Sequence, residues 1–468
     1  MAILGQSVLD TSFGSNGKVV NPTGLLAGSP ETIILPGNKV LLTDVCHGDI
    51  FFTPPRLCFT RLNEDGSYDT HRTTPVPGVS TAGSPWSNAG AYQTDGKIVI
   101  AGGLVDGDRR ESVLMRYNAD GGIDTSFGVN GFVINQPVGT SEFHNLIVQD
   151  DGKLVLSAVT TSMAEIIVRF DQNGLLDPSF GQGGIVSGAG RSIVMLPDGR
   201  LLAVGSGQTL SRLHPNGAFD TSFGGGDGQV DIGVAGKQVA YRADGRIFVL
   251  SNFRSVHRFT VDGLPDLTFN GTGSVVFFPD FTYVVSGISV TPSGKVTAVG
   301  YRDNVLSGLF YYVARCLPDG TPDTTIGPDG LFWVQVQESS AAMSATYDSI
   351  GRTVIGGIAS IFPNSYQNPL LSAVRLVGPA QQNVRLSGRV VRLDGRAVPG
   401  AAVTLKENGS VIATDRSNSF GFFNFYNIPT ARTYTVSASS KVVTFREHSI
   451  MLDDTIDNFR VVSRDPLL

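Results

Sequence analysis

The chain lacks most of the features that mark nucleic-acid-binding and membrane proteins. Of its 468 residues, Lys and Arg account for only 35, and the formal net charge is −6. The basic residues form no cluster, so there is no basic surface for nucleic acid or for anionic lipid. No apolar run approaches the roughly 20 residues that a transmembrane helix requires. We therefore predict no nucleic-acid partner and no membrane span.

Cysteine is also scarce, and its three copies give little basis for a disulfide framework. Cys46 and Cys58 flank one loop, whereas Cys316 stands alone. If the strands beside that loop are antiparallel neighbours, the first two could form a bridge, which would favour export. Two reduced core thiols fit the sequence equally well. The amino terminus has no basic n-region of a signal peptide, so we expect either a cytoplasmic protein or an exported one whose leader lies outside this sequence.

The motifs of common hydrolases and metal enzymes are absent as well. There is no Gly-x-Ser-x-Gly, His-Glu-x-x-His or Cys-x-x-Cys, so neither a common nucleophile nor zinc finds support. Of the six histidines, four fall in repeat turns, repeat strands or the tail, where packing or surface roles suffice. His47 and His144 are harder to dismiss, because both occur where the repeats depart from their consensus.

What the sequence does contain is typical of an all-β protein. Glycine is abundant at 57 residues, and Val, Ile, Thr, Phe and Tyr recur in short runs that Gly, Pro, Asn and Asp interrupt. Seven interruptions end in Lys or Arg, as in TDGK at Thr94 and PDGR at Pro197. Asp-Gly between two apolar runs predicts a tight two-residue hairpin turn, because Gly adopts positive φ without steric cost.

Two further signals follow each hairpin in a fixed order. The first is a short strand ending in arginine, and the seven arginines are Arg61, Arg116, Arg169, Arg212, Arg258, Arg315 and Arg375. The second is a phrase such as IDTSFGVNG, and the seven phrase aspartates are Asp10, Asp69, Asp124, Asp177, Asp220, Asp266 and Asp323. One more strand follows the phrase. The matched numbers predict structural Arg–Asp pairs, within or between units, rather than an anion-binding ring.

Each unit thus holds four short strands and repeats at roughly 45 to 60 residues. Consecutive four-stranded units of this length are typical of a β-propeller, in which each unit is one blade. The chain opens with a phrase and its strand before any hairpin, and the last arginine strand is followed by no phrase. We predict a seven-bladed propeller over residues 1–380 whose last blade is completed by the amino-terminal strand.

These repeats resemble the bacterial delta-60 repeat family. The resemblance lies in the phrase LDTSFG followed by NG-x-Val and in the Asp-Gly-Lys turns. It covers about residues 1–380, is clearest at Leu9, Ile123 and Phe219, and weakens at YDTHRTT and PDTTIGPDG. It implies a propeller and little chemistry.

Residues 381–468 follow a different pattern, with period-two alternation between turn signals. This pattern predicts a small antiparallel β-sandwich. The segments SGRVVRLDGRAVPGAAVTL and SNSFGFFNF resemble the carboxypeptidase regulatory-like domain over Val384 to Ser463. The resemblance implies a structural or adhesive module without peptidase chemistry, of a kind common in exported bacterial proteins. It favours a secreted or cell-surface location over a cytoplasmic one.

Repeated Asp, Asn and Gly in turns such as NADGGID invite comparison with calcium loops. The turns lack the sustained Asp-x-Asp-x-Asp spacing and the distal bidentate Glu of those loops. Turn chemistry accounts for the same residues, because Asn and Asp cap their own backbone. We expect no cofactor, with calcium as the alternative.

The variable loops suggest where a ligand would bind. If the strands run outward from the axis in chain order, the hairpins and phrases share one face and the variable loops share the other. The second-to-third-strand loops of blades seven, one and two are long and adjacent, and binding residues usually lie on variable loops of a rigid scaffold. The candidate residues of this sector are His47, Asp49, Phe51, Phe52, Trp86, Asp106, Asp108, Arg109, Phe362, Asn364 and Tyr366.

Aromatic rings beside polar groups suit a glycan or a protein surface. We predict a non-catalytic, exported binding or adhesion protein that binds a glycan or protein ligand on this face. The alternative is a propeller enzyme, a lyase or hydrolase, with its active site in the central pocket. Titratable groups converging at the axis would favour the enzyme, and an aromatic sector without them would favour binding.

Overall fold

A computed structural model describes most of the chain. The described residues are 8–20, 31–46, 56–80, 83–137, 139–251, 254–278, 283–302, 310–349, 351–360, 370–376, 383–429, 432–441, 443–452 and 456–463. They form strands and turns, with short 3-10 turns at Pro36–Asn38 and Pro328–Gly330. The all-β class is confirmed. In these residues no helix is long and apolar enough to cross a bilayer.

The amino-terminal strands form consecutive antiparallel groups of four. Strand β1 is Lys18–Val20. The first group comprises β2 (Glu31–Leu35), β3 (Lys39–Cys46), β4 (Arg56–Leu62) and β5 (Tyr68–Pro75). The second comprises β6 (Ser84–Tyr92), β7 (Ile98–Asp106), β8 (Arg109–Tyr117) and β9 (Phe132–Ile134). The third comprises β10 (Thr140–Val148), β11 (Leu154–Thr160), β12 (Glu165–Phe170) and β13 (Ile185–Ser187).

The next groups repeat the same order. The fourth comprises β14 (Ser192–Met195), β15 (Leu201–Val204), β16 (Thr209–Leu213) and β17 (Gln229–Asp231). The fifth comprises β18 (Gly236–Tyr241), β19 (Ile247–Ser251), β20 (Ser255–Phe259) and β21 (Ser274–Val276). The sixth comprises β22 (Tyr283–Val290), β23 (Val296–Arg302), β24 (Tyr311–Cys316) and β25 (Leu331–Val334). The seventh comprises β26 (Ser339–Tyr347), β27 (Thr353–Ser360), β28 (Leu370–Arg375) and β1.

The first strand of each group lies next to the first strand of the following group. Strands β2, β6, β10, β14, β18, β22 and β26 contact one another in this order, and β26 contacts β2. The inner strands therefore form a closed ring, which is the arrangement of a propeller. The second and third groups are also joined through one residue pair, Glu142 with Gly103.

The ring is closed by its own beginning. Strand β1 pairs antiparallel with β28, with Lys18 opposite Val374 and Val20 opposite Ser372. Leu9 adds an isolated bridge to Leu376. The predicted completion of the last blade by the amino-terminal strand is therefore confirmed, and β28 is not left as an open sheet edge.

The hairpins between first and second strands are longer than predicted. In the second group the Gln93 amide donates to the Lys97 carbonyl at 2.8 Å, and the Gly96 amide donates to the Gln93 carbonyl at 2.9 Å. Three residues lie between the paired positions, and Gly96 has a φ of 88°. This is a type I turn closed by a left-handed glycine rather than a two-residue turn, because the following bulge restores the twist of the strands.

A separate hydrophobic core fills each gap between neighbouring blades. Phe127, in the phrase of the second blade, is fully buried among residues such as Leu154 and Phe170 of the third blade. Phe180 occupies the same place between the third and fourth blades. Burying one such ring contributes about 1.5 to 3 kcal/mol, so the phrase anchors each blade to the next.

The carboxyl-terminal strands form two small packed sheets. They are β29 (Asn383–Val391), β30 (Ala402–Glu407), β31 (Ser410–Arg416), β32 (Phe422–Pro429), β33 (Arg432–Ser439), β34 (His448–Leu452) and β35 (Ile456–Val462). One sheet has the order β32-β29-β35 and the other β31-β30-β33-β34. The predicted sandwich is confirmed, but its antiparallel description needs one correction, because β29 and β35 pair in parallel.

The sandwich packs on the face of the propeller that carries the hairpins. Thr433 donates its hydroxyl to the Ser349 carbonyl in the seventh blade at 2.6 Å. Arg446 pairs with Asp150 in the third blade at 3.2 Å, and Ala243 in the fifth blade contacts the sandwich core. These contacts come from hairpins on different sides of the ring. The sandwich therefore covers the axis on this face and leaves the variable-loop face uncovered by it.

Candidate functional site

The repeated arginines and aspartates form one structural joint per blade. In each joint the arginine Nε lies 2.7 to 2.9 Å from a carboxylate oxygen of a phrase aspartate eight residues later, or 2.8 Å from Asp10 in the blade that closes the ring. In every joint except that of Arg258, this contact is a hydrogen bond that Nε donates. The pairs are Arg61–Asp69, Arg116–Asp124, Arg169–Asp177, Arg212–Asp220, Arg258–Asp266, Arg315–Asp323 and Arg375–Asp10. All seven pairs lie within a blade.

Among the described contacts, the arginines of five joints also donate to a backbone carbonyl of the neighbouring blade. In the third blade, Arg169 donates to the Pro215 carbonyl of the fourth blade at 2.6 Å and to the Ser179 hydroxyl at 3.0 Å. Its guanidinium lies 4.6 Å above the Phe180 ring, a cation–π contact. The Asp177 carboxylate also accepts from the Ser179 hydroxyl at 2.7 Å. The polar groups of the joint are thus satisfied within the scaffold, which is a structural role.

In several blades a second basic residue, from the hairpin turn, also forms an ion pair with the phrase aspartate. Lys153 lies 3.2 Å from Asp177, and Arg200 lies 2.7 Å from Asp220. Burial alone would raise the pKa of these carboxyls, but hydrogen bonds from the following Ser or Thr and the nearby cations outweigh burial. The pKa is about 2 for Asp124 and Asp266, and it lies below the ordinary value for the other five phrase aspartates.

Most of the predicted binding sector falls outside the described residues. That applies to His47, Asp49, Phe51, Phe52, Phe362, Asn364 and Tyr366. The described members are Trp86, Asp106, Asp108 and Arg109. Their role in ligand binding stays a prediction, and the structure separates Trp86 from the other three.

The segment around Asp106 is not a long loop. Asp106 pairs with Arg109 at the tip of the β7–β8 hairpin, so only Gly107 and Asp108 form the turn. Asp106 accepts hydrogen bonds from the Ser80 hydroxyl at 2.5 Å and the Ser80 amide at 2.9 Å. Those bonds hold the pKa of Asp106 below its ordinary value. The polar residues of LVDGDRR predict a long loop, but most of them belong to the ends of two paired strands, β7 and β8.

A cavity of about 860 Å³ lies on the propeller axis toward the variable-loop face. Its walls come from the inner strands of all seven blades, including Glu31, Asn88, His144, Arg191, Lys237, Tyr283 and Ser344. A second cavity of about 890 Å³ lies at the hairpin ends of blades three to seven and is lined on its other side by the sandwich, including Arg446 and His448. The channel therefore has one end covered by the sandwich, and we take the first cavity as the candidate site.

A hydrogen-bonded cluster supports one side of the candidate site, where His144 and Arg191 line the cavity. Trp86 donates its indole N–H to Glu142 at 2.9 Å, and the other Glu142 oxygen lies 3.1 Å from His144 Nε2. Arg191 reaches the same His144 nitrogen at 2.8 Å. That nitrogen can donate to Glu142 or accept from Arg191, but not both. Burial opposes ionisation of Glu142, yet hydrogen bonds from His144 and Trp86 and the Arg191 charge hold its pKa below the ordinary value.

Two charged side chains from opposite parts of the ring project into the cavity. Burial raises the pKa of Glu31, on the first blade, to about 7. Enclosure also lowers the pKa of Lys237, on the fifth blade. Glu31 is half-buried and Lys237 is exposed, because the surrounding protein forms a cavity rather than a packed core. Among the described residues lining the cavity, Glu31 is the only carboxylate.

The amide side chains of the cavity wall connect neighbouring blades. Asn88 donates to the Phe143 carbonyl at 2.7 Å, and Asn145 accepts from the Ile193 amide at 2.9 Å. Gln238 accepts from the Ile288 amide at 2.8 Å. These bonds fix the positions of the inner strands and so make the cavity rigid.

An aromatic cluster borders the cavity on the sixth blade. Tyr283, which lines the cavity, stacks on Phe278 at 5.3 Å and meets Tyr312 edge-on at 4.9 Å. Arg302 lies 5.3 Å above the Tyr283 ring, and Phe310 packs against Trp333 nearby. This cluster is not among the predicted binding residues, because the prediction rests on loop length. The aromatic density of FFPDFTY and LFYY was the available signal.

The described residues contain no group of three or more His, Cys, Asp or Glu side chains that could hold a metal ion. The acidic turns that resemble calcium loops use their oxygens locally: Asp120 accepts from the Gly122 amide at 2.8 Å, and Asp319 from the Thr321 amide at 2.9 Å. Cys58 is disulfide-bonded, whereas Cys316 is a free, buried thiol whose pKa burial raises to about 12. The side chain of Cys46 lies outside the described residues.

Two protein-family models match the chain. A domain of unknown function described as the DUF5122 beta-propeller matches residues 93–127, 149–180, 196–223 and 291–325. The carboxypeptidase regulatory-like domain matches residues 385–455. The predicted combination of repeat propeller and carboxypeptidase regulatory-like domain is confirmed. No curated protein matches the sequence.

Several solved propellers are similar to the chain at low sequence identity. The WD40 beta propeller domain of Doa1 is 12% identical over 76% of this chain and 97% of that domain, with a TM-score of 0.43. The beta-propeller domain of Cps50 (Swd1) from Myceliophteria thermophila is 7% identical over 78% of this chain and 100% of that domain, with a TM-score of 0.44. The propeller fold is therefore assigned from the sheet topology and the family models, not from these similarities.

Proposed function

Because the chain combines a DUF5122-type β-propeller with a carboxypeptidase regulatory-like domain, we propose that it is a non-catalytic, exported binding protein. Its ligand is a glycan that enters the axial cavity from the variable-loop face. A cavity of about 860 Å³ falls within the range of about 300 to 1,000 Å³ typical of small-ligand sites. The described part of this face is a concave cavity, which suits a small ligand such as a glycan.

The observation that carries this proposal is the chemistry of the cavity wall. Tyr283 offers an aromatic ring, while Glu31, His144, Arg191 and Lys237 offer charged or polar groups from separate blades. Sugars present apolar ring faces and many hydroxyls, so they match such a mixed wall. The inner strands are held by Asn88, Asn145 and Gln238 across blades, and a rigid site lowers the entropic cost of binding.

The alternative function is a glycan hydrolase or lyase, and Glu31 is the observation that favours it. A carboxyl with a pKa of about 7 suits a general acid. Glycoside hydrolysis commonly requires two carboxyl groups, however, and Glu31 faces no second carboxylate in the described wall. Glu142 lies behind that wall and is engaged by Trp86 and His144. Binding is therefore the leading proposal.

An array of diverse glycans, followed by calorimetry with the best binder, tests the proposal. Tyr283→Ala is expected to weaken binding at least tenfold, because the ring would no longer contact the sugar. Tyr426→Ala is the matched control, since that tyrosine is 64% exposed on the sandwich. Equal affinity in wild type and Tyr283→Ala would contradict the proposed site, and failure of every glycan to bind would contradict the function.

A cleavage assay on the same samples separates the two functions. Mass spectrometry of the bound glycan after prolonged incubation should show an unshortened chain if the protein only binds. Shortened products from wild type that are absent with Glu31→Gln would contradict the binding function and favour the enzyme.

The disulfide at Cys58 supports the proposed export, because disulfides persist mainly in oxidising compartments. Thiol labelling of protein taken from its native cell tests this proposal. One labelled cysteine after unfolding is expected, corresponding to Cys316. Three labelled cysteines would point to a reducing compartment.

A further inference from the structure

We infer that the glycan bound in the axial cavity is acidic and that its carboxylate binds between Arg191 and Lys237. This inference rests on the proposed function and narrows its ligand to saccharides that contain a uronic or other carboxylate-bearing sugar. The experiment below separates failure of the acidic class from failure of glycan binding itself.

The basic groups of the cavity are concentrated on two adjacent blades. Arg191 immediately precedes β14, Lys237 lies on β18, and Arg254 follows β19. Strands β14 and β18 are in contact, and the Val239 amide donates to the Ser192 hydroxyl at 3.1 Å. That bond fixes the register of the two strands, so Arg191 and Lys237 line neighbouring parts of the wall. The Arg191 guanidinium lies on the His144 side and the Lys237 ammonium on the Val285 side, so a ligand between them would meet both.

The described carboxylates neutralise this wall only in part. Lys237 donates to the Val285 carbonyl at 2.5 Å, and it has no carboxylate at ion-pair distance among the described residues. Arg191 lies 3.9 Å from Glu142, but that carboxylate already accepts from Trp86 and contacts His144. Glu31 projects from the first blade and, with a pKa of about 7, carries only part of a negative charge near neutral pH.

A cation without an anionic partner favours an anion from outside. Lys237 is exposed within the cavity, where a ligand can reach it, and partial desolvation by the surrounding protein lowers its pKa. A bound carboxylate would stabilise that charge. The side chain of Arg191 is 39% exposed, and a guanidinium can donate two parallel hydrogen bonds to a carboxylate. The two residues together suit one carboxylate better than a neutral hydroxyl.

The rest of the wall suits the sugar that carries the carboxylate. Tyr283 lies on the sixth blade, next to the fifth blade that bears Lys237, and its ring can pack against a sugar face. A partly protonated Glu31 can donate a hydrogen bond to a sugar hydroxyl. The basic wall therefore binds the carboxylate of the ligand. Tyr283 and Glu31 contact the sugar that carries this carboxylate.

Matched pairs of oligosaccharides test the inference with the full-length protein. Each acidic oligosaccharide, from hexuronate and sialic acid series, is compared with its carboxyl-reduced neutral counterpart by calorimetry at pH 7. We expect the tightest acidic binder to bind at least tenfold more tightly than its reduced counterpart. Lys237→Gln and Arg191→Gln should each bring this ratio toward one, whereas Lys237→Arg should keep it.

Control measurements keep the outcomes distinct. Arg396→Gln removes a charge whose side chain is 79% exposed on the sandwich and should leave the ratio unchanged. Thermal unfolding of every variant reports whether the fold is intact. Equal binding of acidic and reduced members would overturn the acidic class and leave glycan binding standing. If no acidic or neutral glycan binds, the proposed function fails as well.

Discussion

Glu31 shows how one residue gains unusual properties from its place in the ring. It is the first residue of β2, a short strand with no local motif, and its side chain reaches the axis. No described residue provides it with a hydrogen bond or an ion pair. Burial without compensation disfavours the carboxylate, so the pKa rises from 4.5 to about 7.

Because of this pKa shift, the stability of Glu31→Gln tests whether the cavity disfavours a charge at position 31, without the need for a ligand. A raised native pKa stabilises the fold fully below pH 4.5, and that stabilisation is lost as the pH rises through 7. Glutamine is neutral at all pH values. We therefore expect Glu31→Gln to have a higher Tm than wild type at pH 8 and the same Tm at pH 4.

The matched control for this prediction is Glu338→Gln, which makes the same change at an exposed position. Its Tm should follow wild type at both pH values. A Glu31→Gln protein that is destabilised at pH 8 would show that the carboxylate has a stabilising partner.

Gly103 is the residue that allows Trp86 and Glu142 to meet. A Cβ at this position would lie 2.5 Å from the Trp86 ring and 2.9 Å from the Glu142 Cβ. Real Cβ atoms do not approach so closely. The close approach of these side chains across two blades therefore depends on the absence of a side chain.

We expect Gly103→Ala to displace Trp86 and break its hydrogen bond to Glu142. The measurement is tryptophan fluorescence in a Trp333→Phe background, which leaves Trp86 as the only tryptophan of the chain. Its emission should shift relative to the parent. Gly207→Ala is the control, because a Cβ there meets only Thr209 at 4.0 Å. An unchanged emission in Gly103→Ala would contradict the packing described.

At the scale of the element, the Arg–Asp joint is the unit that repeats. In the third blade both Arg169 and Asp177 are buried, and Arg169 also contacts Phe180 and the next blade. Removing the carboxylate leaves a buried cation that has lost its charge partner. Breaking a buried pair on one side typically costs about 3 to 5 kcal/mol.

Asp177→Ala is accordingly expected to lower the free energy of unfolding by about 3 to 5 kcal/mol. The matched control is Asp151→Ala in the same blade, where the side chain is 56% exposed and the cost should stay below about 1 kcal/mol. Urea unfolding gives both values. Glycan affinity should not change in either variant, because the joint lies toward the opposite face from the cavity. Equal unfolding energies would contradict the structural role of the joint.

The sequence predicts these elements well because the joint is local. Arg169 and Asp177 are eight residues apart, and this spacing recurs in the repeats. Both residues and their pairing can therefore be predicted from the sequence. The closure of the ring was also visible, since a phrase without a hairpin precedes the first blade. The parallel pairing of β29 with β35 and the strand extension at Asp106 carry no comparable local signal.

The candidate site could not be predicted in the same way. Glu31 and Lys237 are about 200 residues apart and lie on different blades. Their meeting depends on ring closure, and neither residue belongs to a motif. His144 stands out in the sequence because it departs from the repeat consensus. Its partner Arg191 cannot be predicted, because their contact depends on the packing of β10 beside β14, and nothing in the sequence links His144 to Glu142.

At the scale of the whole molecule, the ring and the sandwich together define one accessible channel end. The hairpin face carries Asp150 and Ser349, and both are contacted by the sandwich. The opposite face carries the opening of the axial cavity. A domain that covers one end of the channel gives the propeller a single direction of approach for a ligand.

The seven joints also give the whole molecule a common response to acid. Every phrase aspartate has a native pKa below its ordinary value of 3.8. Such a group stabilises the fold above pH 3.8, and this contribution is lost as the pH falls through the native pKa. For Asp124 and Asp266 that pKa is about 2.

We therefore expect the Tm to stay nearly constant from pH 5 down to pH 4 and to fall steeply between pH 4 and pH 2. Circular dichroism during thermal unfolding at each pH measures this profile. Because each joint anchors one blade to the next, protonation of several joints should unfold the ring in one cooperative transition. Asp177→Ala removes one titrating joint, so its Tm should be lower than wild type at pH 5 and should approach wild type at pH 2. A constant difference between the two proteins across this range would show that Asp177 stabilises the blade without its charge.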